Sequence, residues 1–123
     1  MDRRAEIRDI AAVGEDKSLA RTPEPPYVAV IFTSIRLDGD NGYAATAQRM
    51  DELAAEQPGY LGHDGARSDG VGITVSYWAS QQAAADWKRV AEHRIAQGRG
   101  IGAWYERYIV RIAVVEREYE GPR

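Results

Sequence analysis

The chain contains no cysteine, which excludes disulfides, thiolate-bound zinc, iron–sulfur clusters and a cysteine nucleophile. Histidine is almost as scarce. His63 and His93 are the two in 123 residues, too few for a histidine-rich metal site within one chain. No apolar run approaches the ~20 residues of a membrane span, and the N-terminus lacks the apolar core of a secretion signal. A cytoplasmic protein without a membrane partner is therefore expected. Positive charge is not in excess either: 16 Lys and Arg stand against 19 Asp and Glu. A formal net charge of −3 leaves no electrostatic footprint for nucleic acid.

What is present describes one ordinary domain. Hydrophobic residues are 44% and charged residues 28% of the chain, near globular averages. Residues 1–21 differ from the rest: they are charge-dense, with Ile7, Ile10 and Ala11 spaced for a short amphipathic helix at most. We read 1–21 as an N-terminal extension, partly ordered or arm-like, 22–119 as the domain, and 120–123 as a C-terminal tail. Thr22-Pro23-Glu24-Pro25-Pro26 is stiff and extended, because each proline fixes φ and disfavours helix before it.

From Tyr27 to Arg36 the chain is rich in β-branched and aromatic residues and ends at the turn cluster Asp38–Gly42. Asp40 or Asn41 can cap a helix whose apolar stripe is Ala47, Met50, Leu53 and Ala54, stopped by Pro58-Gly59. Two strands follow, about 60–68 and 71–78, joined by a hairpin turn at Ser68-Asp69-Gly70. Ser80 caps a second helix carrying Ala83, Ala84, Trp87, Val90 and Ala91, which Gly98, Gly100 and Gly102 interrupt. A last strand is expected over 105–119. The order strand–helix–strand–strand–helix–strand predicts an α+β, ferredoxin-like βαββαβ protomer with a four-stranded antiparallel sheet. The first and last strands are apolar on both sides, as in Ile109-Val110-Arg111-Ile112-Ala113-Val114-Val115. Two helices cannot cover both faces of such a sheet, so a second copy of the chain is the simplest cover and a homodimer is expected.

Residues 77–111 hold all three tryptophans, Trp78, Trp87 and Trp104, with Tyr77, Tyr105, Tyr108 and His93. Aromatics concentrated on one helix–sheet seam line pockets for flat organic ligands, or fill a core. His93 is a candidate general base, its alternative being a histidine bonded to carbonyls at a helix end. His63 reads as structural or exposed. Arg111, the one charge in an apolar strand, needs a partner: either a glutamate such as Glu116 or Glu118 of a neighbouring subunit, or an anionic substrate or enolate. Tyr105 and Tyr108 either hydrogen-bond a substrate or close the end of the barrel. The run Gly98-Arg99-Gly100-Ile101-Gly102 follows a helix and does not open one, so it is not a phosphate loop.

Pro23–Ser34 forms one block of a resemblance; the other comprises Trp87, Glu92-His93, Ala96-Gln97, Gly100, Trp104-Tyr105, Tyr108, Arg111-Ile112 and Val115-Glu116-Arg117. Together they resemble the antibiotic biosynthesis monooxygenase (ABM) domain family, in its bacterial branch of small stand-alone proteins. The resemblance spans Thr22 to Tyr119. It implies a dimeric α+β barrel and oxidation of aromatic molecules by dioxygen without metal, flavin or haem. A deprotonated phenol can itself give an electron to dioxygen, so the protein need only bind, deprotonate and shield it. No catalytic motif of the family is matched residue by residue; from their own chemistry and location, His93, Arg111 and Tyr105 are the expected catalytic residues. Trp78, Trp87, Trp104, Tyr108 and Gln97 are expected to bind a small aromatic or quinone-type substrate. The alternatives are a non-enzymatic dimer that binds a metabolite or serves in assembly, and a haem-binding or haem-degrading protein. A related haem-degrading branch has histidine ten residues after its helix tryptophan, where this chain has Gln97.

Overall fold

The computed structural model describes residues 19–40, 42–97 and 104–122, the side chains of 95–97 excepted. The expected order of elements is observed: β1 (Tyr27–Arg36), α1 (Tyr43–Ala55), β2 (Tyr60–Ser68), β3 (Val71–Trp78), α2 (Gln81–Gln97) and β4 (Tyr105–Val115). The four strands form one antiparallel sheet in the order β2-β3-β1-β4, as the ferredoxin-like arrangement requires.

Local chemistry sets the boundaries. The β2–β3 turn places Asp69 at φ 53 and Gly70 at φ 82, the doubly positive combination whose twist matches the flanking strands. The Ser80 hydroxyl accepts from the Ala83 N–H at 3.0 Å, capping α2 as expected. At α1 the cap position is Gly42 rather than Asp40 or Asn41. Asp40 still serves that helix, because its carboxylate accepts from the Ala44 N–H at 3.2 Å; Asn41 lies outside the described residues, as do 1–18 and the glycine run 98–102. Strand β4 ends at Val115, short of the expected Tyr119. Beyond it, Glu118 accepts hydrogen bonds from Thr22 Oγ1, at 2.9 Å, and from the Tyr27 hydroxyl.

Register divides the sheet into two faces. Val28, Val30, Phe32 and Ser34 of β1 align with Trp78, Ser76, Thr74 and Gly72 of β3 and with Val114, Ile112, Val110 and Tyr108 of β4. This inner face carries both helices. The core lies at its Trp78 end, where Val28, Ala54, Trp78 and Ala84 are buried and Val30, Tyr60, Ala83 and Trp87 pack around them. Trp78 is completely buried, stacks on Trp87 at 5.8 Å and donates from its indole N–H to Ser76 Oγ at 2.8 Å. Gly59 (φ +87) lets α2 close onto this end, since a Cβ there would lie 2.6 Å from that of Ala83.

The outer face displays Tyr27, Ala29, Ile31, Thr33 and Ile35 with their partners on β3 and β4. One end is covered by the chain itself. The Ala20 N–H donates to Asp64 Oδ1 at 2.8 Å, and Tyr77 donates to Asp64 Oδ2 at 2.9 Å. The other end leaves Ile35, Val71, Ile73 and Ile109 exposed.

Candidate functional site

Between the inner face and the two helices lies a cavity of about 260 Å³, lined by side chains from all six elements. Its walls are mainly aromatic and aliphatic, including Phe32, Met50, Trp87, Trp104, Tyr105 and Tyr108. A small number of polar groups enter it: Tyr43, Asp51, His63, Arg67, Lys88 and Glu92. The volume lies just under the roughly 300–1,000 Å³ of drug-sized sites, which suits a small flat molecule.

The expected residues divide. Trp87, Trp104, Tyr105 and Tyr108 line the cavity together. Trp78 does not; its ring is core, backing Trp87 from behind. His93 is placed elsewhere, in an open groove with Leu53, Arg89, Val90 and Arg94. The reason is helical periodicity: six residues after Trp87 amount to about 600° of rotation, so the two side chains diverge by about 120°. Arg111 aligns with Ile31 on the outer face, while its neighbours Val110 and Ile112 line the cavity. A strand alternates faces at every residue, so the thickness of the sheet separates Arg111 from the cavity. The side chain of Gln97 lies outside the described residues.

His63 is exposed, as expected, and it also reaches the cavity. It stands opposite Ser76 on the inner face and enters the cavity. Its Nδ1 is hydrogen-bonded to the Tyr60 hydroxyl at 2.6 Å, leaving Nε2 as the ring nitrogen available to a ligand. The signal was present: a two-residue turn at Asp69-Gly70 fixes the register that sets His63 across from Ser76, on the side of Trp78.

Electrostatics distinguish the polar groups. Desolvation raises the Asp51 carboxyl above the usual carboxylate range, and the His63 imidazole opposes that rise. Burial also raises the Tyr60 hydroxyl, helped by the Asp51 charge. Tyr105 is raised strongly, first by burial and then by its hydrogen bond with Tyr43, against the opposing charges of Arg67 and Arg36. A tyrosine so raised keeps its proton at neutral pH and acts as a hydrogen-bond donor rather than a base. Among the described residues no cluster of three or more His, Cys, Asp or Glu is arranged to hold a metal ion.

Solved structures share this architecture. SnoaB, a cofactor-independent oxygenase from Streptomyces nogalater, aligns with a TM-score of 0.59 and 13% identity over 80% of this chain and 100% of its own. PA3566 from Pseudomonas aeruginosa gives 0.58 and 16% over 79% of this chain and 99% of that one. A Nitrosomonas europaea protein provisionally named an antibiotic biosynthesis monooxygenase gives 0.58 and 16%, covering 80% and 96%. The fold is that of the ABM-type monooxygenases, as the resemblance over 22–119 implied. No family model matches the chain. In sequence it is 52% identical over 101 residues to the uncharacterised protein YqjZ of Bacillus subtilis (strain 168), covering 81% of this chain and 89% of that protein. The chain belongs to the same family as YqjZ.

Proposed function

We propose that this protein is a cofactor-independent oxygenase that oxidises a small phenolic or quinol-type aromatic molecule in the cavity between the sheet and the helices. The observation that carries this reading is the cavity itself, walled by Trp87, Trp104, Tyr105 and Tyr108 and holding one imidazole, His63. In this reading His63 takes the proton of a ring hydroxyl, and the Asp51 carboxylate stabilises the resulting imidazolium. Tyr105, still protonated, donates to the ring oxyanion. The electron-rich anion then reacts with dioxygen. The ring carbon conjugated with the oxyanion, which is the methylene of the keto tautomer, adds dioxygen to give a hydroperoxide. The hydroperoxide loses water and leaves a carbonyl (CH2 + O2 → C=O + H2O), with both methylene hydrogens ending in the water and the substrate supplying all four electrons.

The test is oxygen uptake with anthrone-like and catechol-like substrates in metal-free buffer. Protein-dependent uptake that falls at least tenfold in His63→Ala and is unchanged in His93→Ala is the expected result. Uptake insensitive to His63→Ala overturns the assignment of the base. Ligand binding without any uptake would make the protein a non-enzymatic binder.

The assembly in this reading is a homodimer. Ile35, Val71, Ile73 and Ile109 are exposed on the outer face beyond the part covered by residues 20–22, and contiguous apolar exposure of this kind marks an association surface. Arg111 faces the same side, where a charge-pairing role between copies replaces the catalytic one.

A further inference from the structure

The Arg67 end of the cavity is built differently from the rest. Arg67, Gly72, Ser34 and Tyr108 stand side by side across β2, β3, β1 and β4 on the inner face. The Arg67 side chain folds back over Gly72, where a Cβ would collide with the guanidinium. Folded this way, it donates from Nη2 to Ser34 Oγ at 2.6 Å and from Nη1 to the Gly70 carbonyl at 2.8 Å. Ser34 is itself only 1% exposed. A second guanidinium, that of Arg36, lies 3.6 Å above the Tyr43 ring, and Arg67 lies 5.9 Å from the same ring. Arg36 is held in turn by the Trp104 and Gly39 carbonyls, at 3.0 and 2.9 Å.

Both cations are therefore fixed by neutral groups. The ion pairs among the described residues join Arg49 to Glu52, Lys88 to Glu92 and Arg89 to Asp86, and none involves Arg36 or Arg67. A guanidinium has five N–H donors in a planar fork, and two hydrogen bonds leave Arg67 with donors to spare beside Tyr43 and Tyr105. Arg67 is exposed, and a cation held in place by neutral groups at one end of an aromatic cavity, with no ion-pair partner among the described residues, is complementary to a carboxylate.

We propose that the Arg67 end of the cavity is a carboxylate-recognition site, so that the protein's ligand is an aromatic acid whose carboxylate meets the Arg67 guanidinium. The inference rests on the reading of the cavity as an aromatic-ligand site and narrows its substrate class. His63 and Arg67 are four residues apart on the same face of β2, about 13 Å of strand at the usual rise. A ring acid between them presents its hydroxyl to the imidazole and its carboxylate to the guanidinium.

The test compares 2-naphthoate with the nearly isosteric but neutral 2-naphthamide by isothermal titration calorimetry at pH 7. The wild-type protein is expected to bind the acid at least tenfold more tightly than the amide. Arg67→Gln is expected to bring the two affinities together by weakening the acid alone. Gly72→Ala, which displaces the guanidinium while leaving its charge, is expected to reduce the preference at least threefold. Equal affinities in the wild type overturn the carboxylate site and leave the aromatic cavity standing. Failure to bind either probe overturns both readings. A preference that survives Arg67→Gln overturns the assignment to Arg67. The wild-type comparison decides the proposal even if a variant does not fold.

Discussion

Gly59→Ala perturbs the joint between α1 and β2 in two separable ways. The first is conformational. Gly59 has φ +87, a left-handed conformation that costs an L-residue about 1–2 kcal/mol. Against this, replacing glycine restricts the unfolded chain and returns about 0.4–1 kcal/mol. The second is steric: the new Cβ would lie 2.6 Å from the Ala83 Cβ in the first turn of α2. The backbone has little room to yield, because the Ala79 N–H donates to the Gly59 carbonyl at 2.8 Å. Overpacking of this kind costs about 1–3 kcal/mol. Gly70→Ala is the control, with φ +82 and nothing within 4 Å of its Cβ, so it carries the conformational penalty alone. Urea denaturation followed by tryptophan fluorescence should place Gly59→Ala about 1–3 kcal/mol below Gly70→Ala. With small-protein m-values of about 1–3 kcal/mol per molar, the two midpoints separate by roughly 1 M. Equal destabilisation by the two substitutions would refute the close approach of α2 to Gly59. Because Trp87 follows on the same helix and lines the cavity, probe affinity should fall with Gly59→Ala.

Trp78→Ala should cost about 3–5 kcal/mol, since the ring is fully buried and its hydrogen bond to Ser76 disappears with it; a loss below about 1 kcal/mol by urea denaturation would place Trp78 outside the core. Alkaline stability should depend on Tyr77, whose hydroxyl is pushed up from 10.0 to about 12, first by burial and then by its hydrogen bond to Asp64. A raised folded-state value means that the folded state holds the proton longer than the unfolded one, so the contribution is complete below pH 10 and is lost between pH 10 and about 12. Denaturation midpoints measured across that window should fall more steeply in the wild type than in Tyr77→Phe, and identical slopes would contradict the assignment. The proposed homodimer should sediment as two chains at micromolar concentration, and Ile73→Glu with Ile109→Glu should give monomers; a wild-type monomer would contradict the association surface.

Fold and site were not equally legible from sequence. The range of β1, the Ser80 cap and the Asp69-Gly70 turn each rest on local chemistry: a β-branched run, a side-chain acceptor and positive φ. Neighbouring residues determine such features, and the structure matches them. Which residues share a cavity is decided by facing, and facing follows from counting along an element. Trp87 and Ala91 are a helical turn apart and both reach the cavity, whereas His93 turns toward the α1–α2 groove. Arg111 faces away from the cavity by one strand position, since Val110 and Ile112 on either side of it line the cavity. Arg67 was hidden for another reason. Its place depends on a glycine directly opposite it across the β2–β3 hairpin and on a buried serine in β1, neither of which announces itself as a ligand for arginine.

The proposed oxygenase reaction requires that the aromatic molecule meet dioxygen in the cavity beneath the helices. Ala91 lines that cavity on α2, and Ala91→Phe takes up cavity space while leaving His63, Tyr105 and Arg67 unsubstituted. Oxygen uptake and ketone formation should be followed together with an anthrone-like substrate in metal-free buffer. The account predicts one dioxygen consumed per ketone formed by the wild type, and at least a tenfold slower reaction in an Ala91→Phe variant with wild-type circular dichroism. Equal rates in the two proteins, or uptake no faster than in buffer alone, would contradict it.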